Sequence, residues 1–187
     1  MTNTTQSKSQ LKPTNIPWLG DIPADWEVRR LKYCSEIIMG QSPDSNDYEF
    51  EENEYPFLQG NAEFGEKFPV PKLWCKTSNK KCDIGDILLS VRAPVGAINL
   101  ADKRYGIGRG LCSIKGISIF QDYLVYLLGT SNEELNSIAT GSTFTAISID
   151  EVKNLQIPLP PLPTQKAIVE YLDTKTNLIS QDRKSVV

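Results

Sequence analysis

The order of local signals in this chain predicts an α+β fold: a mixed or antiparallel β core with short helices, followed by a projecting C-terminal amphipathic helix. Three observations carry that expectation. Strand-like runs such as Ile87-Leu88-Leu89-Ser90-Val91 occupy the middle of the sequence, helix-like segments at Asp122 to Leu128 and Ser131 to Ala139 follow them, and Pro158, Pro160, Pro161 and Pro163 set the last helix apart. At 187 residues with 40% apolar content, the chain can bury one core and carry one appendage. The expected division is a disordered tail over 1–14, a domain over 15–160 and the start of a long helix over 161–187.

Taken in order, residues 1–14 offer almost nothing to bury and lack a signal peptide's apolar core, so a cytoplasmic protein is expected. Trp26 to Leu31 alternates as a strand does and runs into an apolar segment, Tyr33 to Ile38, read as a short helix closed by Gly40. The acidic stretch Gln41 to Glu54 loses periodicity and reads as a loop. A turn at Gly85-Asp86 opens the buried strand at Ile87, and Val95 to Leu100 and Arg109 to Lys115 look like further strands separated by a turn from Tyr105 to Gly110. Ser131 and Glu134 have capping-box spacing, as do Ser148 and Glu151, which should open a short helix over Ile149 to Leu155. Gln156 to Pro163 cannot be helical and is expected to be extended. Thr164 is a plausible N-cap for a helix whose Ile168, Tyr171, Leu172, Leu178 and Ile179 recur at three-and-four spacing.

Composition excludes several classes. No run of about eighteen apolar residues is present, so no membrane-spanning helix is expected. Cys34, Cys75, Cys82 and Cys112 are scattered without a Cys-x-x-Cys pair, and the chain has no histidine, which argues for buried, reduced cysteines and against a zinc site. Net charge is −3, but it is unevenly distributed. Residues 1–66 hold 5 basic and 12 acidic side chains, residues 67–115 hold 10 and 3, and residues 116–187 hold 5 and 8. A basic segment between two acidic flanks fits an electrostatic footprint for a polyanion; the alternative is that its lysines only solvate a loop.

Five segments lie in a telling order: IPWLGDIPADWEVRRL at 16–31, GQSP at 40–43, GDILLSVRAPVG at 85–96, YLLGTSNEEL at 126–135 and GSTFTAISIDEVKNLQIPLPPLPTQKAIVEYL at 141–172. Together they resemble the DNA specificity subunits of type I restriction-modification systems over about residues 16–180. The last segment is similar to the junction between a target recognition domain and the family's long conserved helix. The resemblance implies a non-catalytic subunit that reads duplex DNA and hands the site to methyltransferase subunits, with the restriction subunit engaged indirectly. It also implies that S-adenosylmethionine, ATP and magnesium belong to those partners, leaving this chain with no cofactor and no metal. Thr164 stands where the family commonly has glutamate. Full family members carry two recognition domains and two conserved helices, whereas this sequence holds one domain and the beginning of one helix. A half-size subunit, pairing through that helix with a second copy or another half-subunit, is the leading expectation. A decoy that keeps the fold and docks methyltransferase subunits without binding DNA, or the product of a silent cassette, is the alternative.

Catalytic near-motifs fail on inspection. GNAEFGEK at 60–67 approaches a phosphate loop but places Glu66 after Gly65, and GIGRG at 106–110 is followed by Leu111 where a dinucleotide fingerprint needs glycine. PLPPLP lacks the Asn or Asp that amino-methyltransferases set before their prolines. Asp83 and Asp86 sit beside a turn and are better explained as turn residues than as magnesium ligands. What remains suits reading. Arg92, Arg104 and Arg109 could take phosphate or grip guanine with both arms of the guanidinium, or else serve as solvated surface or in a salt bridge. Gln59 and Asn61 flank Gly60, where an amide could pair with adenine or stabilise its own turn. Ser142, Thr143, Phe144 and Thr145 form a small hydroxyl-bearing loop suited to the DNA backbone, unless Phe144 plugs the core; Gln41 and Ser42 before Pro43 are a similar candidate. Ile168, Tyr171, Leu172, Leu178 and Ile179 would make the partner-helix interface, the alternative being that the helix folds back on its own domain.

Overall fold

The computed structural model describes residues 10–44, 47–49, 55–75, 77–140 and 146–185. Strands β1 (Leu11–Pro13), β2 (Asp21–Pro23), β3 (Glu27–Arg30) and β4 (Ser35–Met39) come first, with a 3-10 turn at Leu31–Tyr33 between the last two. Then follow β5 (Tyr48–Glu49), β6 (Pro56–Leu58), β7 (Leu73–Cys75), β8 (Lys81–Cys82) and β9 (Ile87–Ser90). β10 (Ile98–Leu100), β11 (Tyr105–Ile107) and β12 (Leu111–Gly116) complete the central sheets. Helices α1 (Gln121–Thr130), α2 (Asn132–Thr140) and α3 (Ile149–Asn154), strand β13 (Gln156–Leu159) and helix α4 (Leu162–Ser185) close the described chain.

Two sheets form the body. One is antiparallel in the order β10-β9-β12-β4; the other runs β5-β7-β6-β11-β8 and contains a single parallel pair, β6 with β11. The α+β expectation therefore holds. Ile87, Leu88 and Leu89 of β9 are all fully buried, as a central strand covered on both faces requires. Leu88 belongs to a cluster with Leu58, Tyr105, Ile107 and Leu111 between the sheets. Ile87 and Leu89 face the larger core with Cys112 and Ile114, covered by Leu124 and Leu128 of α1 and Leu135 of α2.

The cap of α3 forms as the spacing predicts: Glu151 donates its N–H to Ser148 Oγ at 3.2 Å, and Ser148 donates its N–H to Glu151 Oε2 at 2.6 Å. β13 pairs antiparallel with β3, placing Pro158 opposite Val28 in a two-stranded ribbon, where a missing N–H is tolerated. Ser131 terminates α1, its hydroxyl donating to the Leu127 carbonyl at 2.8 Å.

Several local expectations are corrected. Tyr33 to Ile38 is not a helix, because Ser35–Met39 pairs residue for residue with Cys112–Gly116, and this long-range ladder decides a short apolar run that periodicity leaves open. Tyr105 to Gly110 is a strand before it is a turn, since β11 is gripped on both sides by β6 and β8. The segment read as a loop at 41–54 contains β5, and the tail read as disordered over 1–14 contributes β1, which pairs with β2. α4 begins at Leu162 and not after Thr164: Pro163 falls in the first turn, where its lack of an N–H costs nothing, and Thr164 and Gln165 donate to the Pro161 carbonyl.

The first turns of α4 lie on the domain. Val169 is buried and Ile168 packs against the main core, so Ile168, expected at a partner interface, is used internally. Tyr171 on the same helix is 61% exposed and Leu172 is half-buried. Leu178 and Ile179 lie on α4, but their side chains fall outside the described residues.

Candidate nucleic-acid interface

Strand direction gathers the predicted polar residues at one end of both sheets. The C-terminal ends of β4, β6, β9 and β11 and the N-terminal end of β12 come together there, so Gln41-Ser42, Gln59 to Asn61, Arg92 and Arg109 follow or precede neighbouring strands. Backbone hydrogen bonds stitch the segments to one another. Gly108 N–H donates to Leu58 O at 2.8 Å, Gly110 N–H to Gln59 O at 3.1 Å, Gln41 N–H to Ile107 O at 2.9 Å and Val91 N–H to Gly110 O at 2.9 Å. Such close approach needs glycine. A Cβ on Gly110 would sit 2.5 Å from Gln59 O, and one on Gly40 would overlap the Gly108 carbonyl.

The result is an open cleft of about 350 Å³ lined by Ser42, Gln59, Asn61, Arg92 and Arg109, five of the expected residues, together with Gly60, Glu63 and Ser90. Arg109 Nε donates to Ser42 Oγ at 3.2 Å, which leaves the two terminal guanidinium nitrogens for a ligand. Among the described residues neither Arg92 nor Arg109 is paired with a carboxylate. Arg92 bridges to Ala146, the first described residue after the Ser142, Thr143, Phe144 and Thr145 segment, which itself lies outside the described residues. Gln41 is exposed next to Ser42.

Arg104 does not belong to this cleft. It precedes β11 whereas Arg109 follows it, and its Nε is held by Asp83 Oδ1 at 2.8 Å at the far end of the sheet. The basic segment is likewise divided. Lys80, whose carbonyl accepts from Ile107 N–H, lies toward the cleft end, while Lys103 and Lys115 lie toward the other, and Lys81 stacks 3.9 Å from the centroid of the Tyr55 ring.

Sequence reasoning missed Glu63. It is buried, and its Oε2 accepts from Gly60 N–H at 3.2 Å, holding the 3-10 turn Asn61–Glu63 against the cleft. The signal was the three-residue spacing of a capping box between Gly60 and Glu63, hidden because glycine has no side chain to mark a cap.

All four cysteines are buried and unbridged, and desolvation pushes the Cys82 and Cys112 thiols up to about 12. Among the described residues no group of three or more His, Cys, Asp or Glu side chains is placed to hold a metal ion, and no helix is long and apolar enough to cross a membrane. The cleft therefore offers positive charge, amides and a hydroxyl, the donor set that phosphates and base edges accept from.

Comparison with known proteins agrees with this chemistry. The chain is 44% identical over 171 residues to the putative type I restriction enzyme MjaX specificity subunit of Methanocaldococcus jannaschii, covering 89% of this chain and 40% of that protein. It is 29% identical to the MjaIX specificity subunit of the same organism, over 95% of this chain and 43% of the other. The crystal structure of the HsdS subunit from Thermoanaerobacter tengcongensis superposes with a TM-score of 0.78 at 40% identity, covering 89% of this chain and 41% of that one. The chain thus spans about two fifths of the length of these relatives. Residues 23–187 match the family described as the type I restriction modification DNA specificity domain, and the chain belongs to that family.

Proposed function

We propose that this chain is a target recognition module that reads one half of a bipartite duplex DNA site and presents α4 to methyltransferase subunits, without catalysing a reaction itself. The observation that carries the reading is the convergence of Ser42, Gln59, Asn61, Arg92 and Arg109 in one cleft. They come from segments as far apart as 67 residues, and nothing in the core requires them to be polar. Methylation and cleavage, with their cofactors, belong to partner subunits in this reading. A second copy or another half-subunit would supply the other half of the site.

The test is binding of the purified chain to duplex DNA across a salt series, with and without the methyltransferase subunit. Phosphate contacts from Arg92 and Lys80 imply roughly a tenfold loss of affinity between ~50 and ~200 mM salt. Arg92→Ala should weaken binding on every sequence if it holds phosphate. Methyltransferase docking without DNA binding at any salt would instead support a decoy.

A further inference from the structure

We infer that Gln59 and Arg109 form a two-residue reader of neighbouring base pairs, one A·T and one G·C; this rests on the DNA-reading function proposed above. The argument starts from register. β6 and β11 are parallel neighbours, with Phe57 beside Gly106 and Leu58 beside Ile107, so Gln59 and Gly108-Arg109 leave adjacent strands at the same level. Their backbones stay in contact beyond the ladder, through Gly108 N–H to Leu58 O and Gly110 N–H to Gln59 O. Adjacent strands lie about 4.8 Å apart. Successive base pairs are separated by about 3.4 Å. Two long side chains from adjoining strand ends therefore meet successive pairs more readily than distant ones.

The two side chains are chemically different and both available. Among the described residues the Gln59 amide makes no hydrogen bond, so it is not spent on its own turn, and the residue is exposed. An amide carries one donor and one acceptor face, which matches adenine N6 and N7. Arg109 is exposed, and Ser42 Oγ occupies its Nε, orienting the guanidinium and leaving its two outer amino groups for guanine O6 and N7. A shift of either residue by one position would break the pairing. Gly108 and Gly110 fix Arg109 from both sides against Gln59: a Cβ on Gly108 would come within 3.1 Å of the Gln59 Cα, and one on Gly110 within 2.5 Å of its carbonyl oxygen.

The experiment is selection of bound duplexes from a randomised pool by the full chain, followed by sequencing, for the wild type, Gln59→Leu and Arg109→Lys. The wild type should enrich a motif with an A·T pair next to a G·C pair. Gln59→Leu should lose only the A·T preference, by about ten- to a hundredfold. Arg109→Lys keeps the charge but not the fork and should relax only the G·C position by a similar factor. A wild-type motif that survives either substitution unchanged, or weakens uniformly at all positions, overturns the reader while leaving DNA recognition standing. A wild type that enriches no sequence at any salt overturns both.

Discussion

Gln165, on the first turn of α4, accepts the backbone N–H of Phe120 at 2.8 Å, where α1 begins. The same amide donates to the Pro160 carbonyl at 2.8 Å, and the side chain is 2% exposed. Two turns further on, Tyr126 of α1 donates its hydroxyl to Asp173 Oδ1. The prolines before α4 therefore do not act as a loose joint; they deliver the helix to a polar clamp that ties it along α1.

Replacing Gln165 by Leu keeps the volume but leaves the Phe120 N–H and the Pro160 carbonyl buried without these partners. The expected loss is about 1–3 kcal/mol of stability, read by denaturant unfolding. Unaltered stability would mean that water reaches both groups and that the clamp is weak.

Expectations drawn from sequence succeed where the deciding contact is local and fail where it is distant. Ser148 and Glu151 were legible because a cap is local: both partners lie within four residues. Ile37 and Ile38 were not, because what makes them a strand is Ser113 and Ile114, some 76 residues away. The site residues were legible one at a time as polar groups on predicted loops. Their convergence was not. Arg104 and Arg109 are five positions apart, and extended chain at about 3.3 Å per residue puts roughly 16 Å between them, enough to place one in the cleft and the other on Asp83. Ile168 and Leu172 show the same limit on α4, where spacing defines an apolar stripe but cannot say which part of it the domain has already covered.

The backbone contact between Gly110 and Gln59 makes a sharp pair of substitutions. Gly110→Ala forces a methyl against a carbonyl oxygen and should cost about 1–3 kcal/mol while weakening DNA binding. Gly60→Ala, at φ −169° with open space around its Cβ, should leave the melting temperature unchanged. Equal melting curves for both would show that the β6–β11 ends yield easily.

Burial of the thiols sets an alkaline limit. The ordinary thiol value is 9.0, and desolvation raises Cys82 and Cys112 to about 12 in the folded chain; burial likewise raises Tyr123 from 10.0 to about 12. Below about pH 9 both states keep these thiol protons and nothing is lost. Above it the unfolded chain releases protons that the folded chain retains, so stability falls as pH rises toward about 12. Melting temperatures should therefore drop as pH rises from about 9 toward about 12, and thiol reagents should label Cys112 only on unfolding. Rapid labelling of Cys112 in the native protein would contradict its burial.

The two faces of α4 separate domain stability from association. Ile168 is half-buried against the core, so Ile168→Asp should destabilise the domain by about 1–3 kcal/mol, because a carboxylate there gives up the apolar contacts. Leu172 is half-buried and lies outside that core, one position from the exposed Tyr171. If the outer stripe pairs with another helix, Leu172→Asp should abolish self-association or methyltransferase binding while leaving the melting temperature within about 1 °C, because a substitution outside the core moves stability little. Light scattering and circular dichroism on the same samples distinguish the cases. A wild type that stays monomeric and binds no methyltransferase subunit would assign α4 wholly to its own domain, and a Leu172→Asp chain that melts as early as Ile168→Asp would do the same.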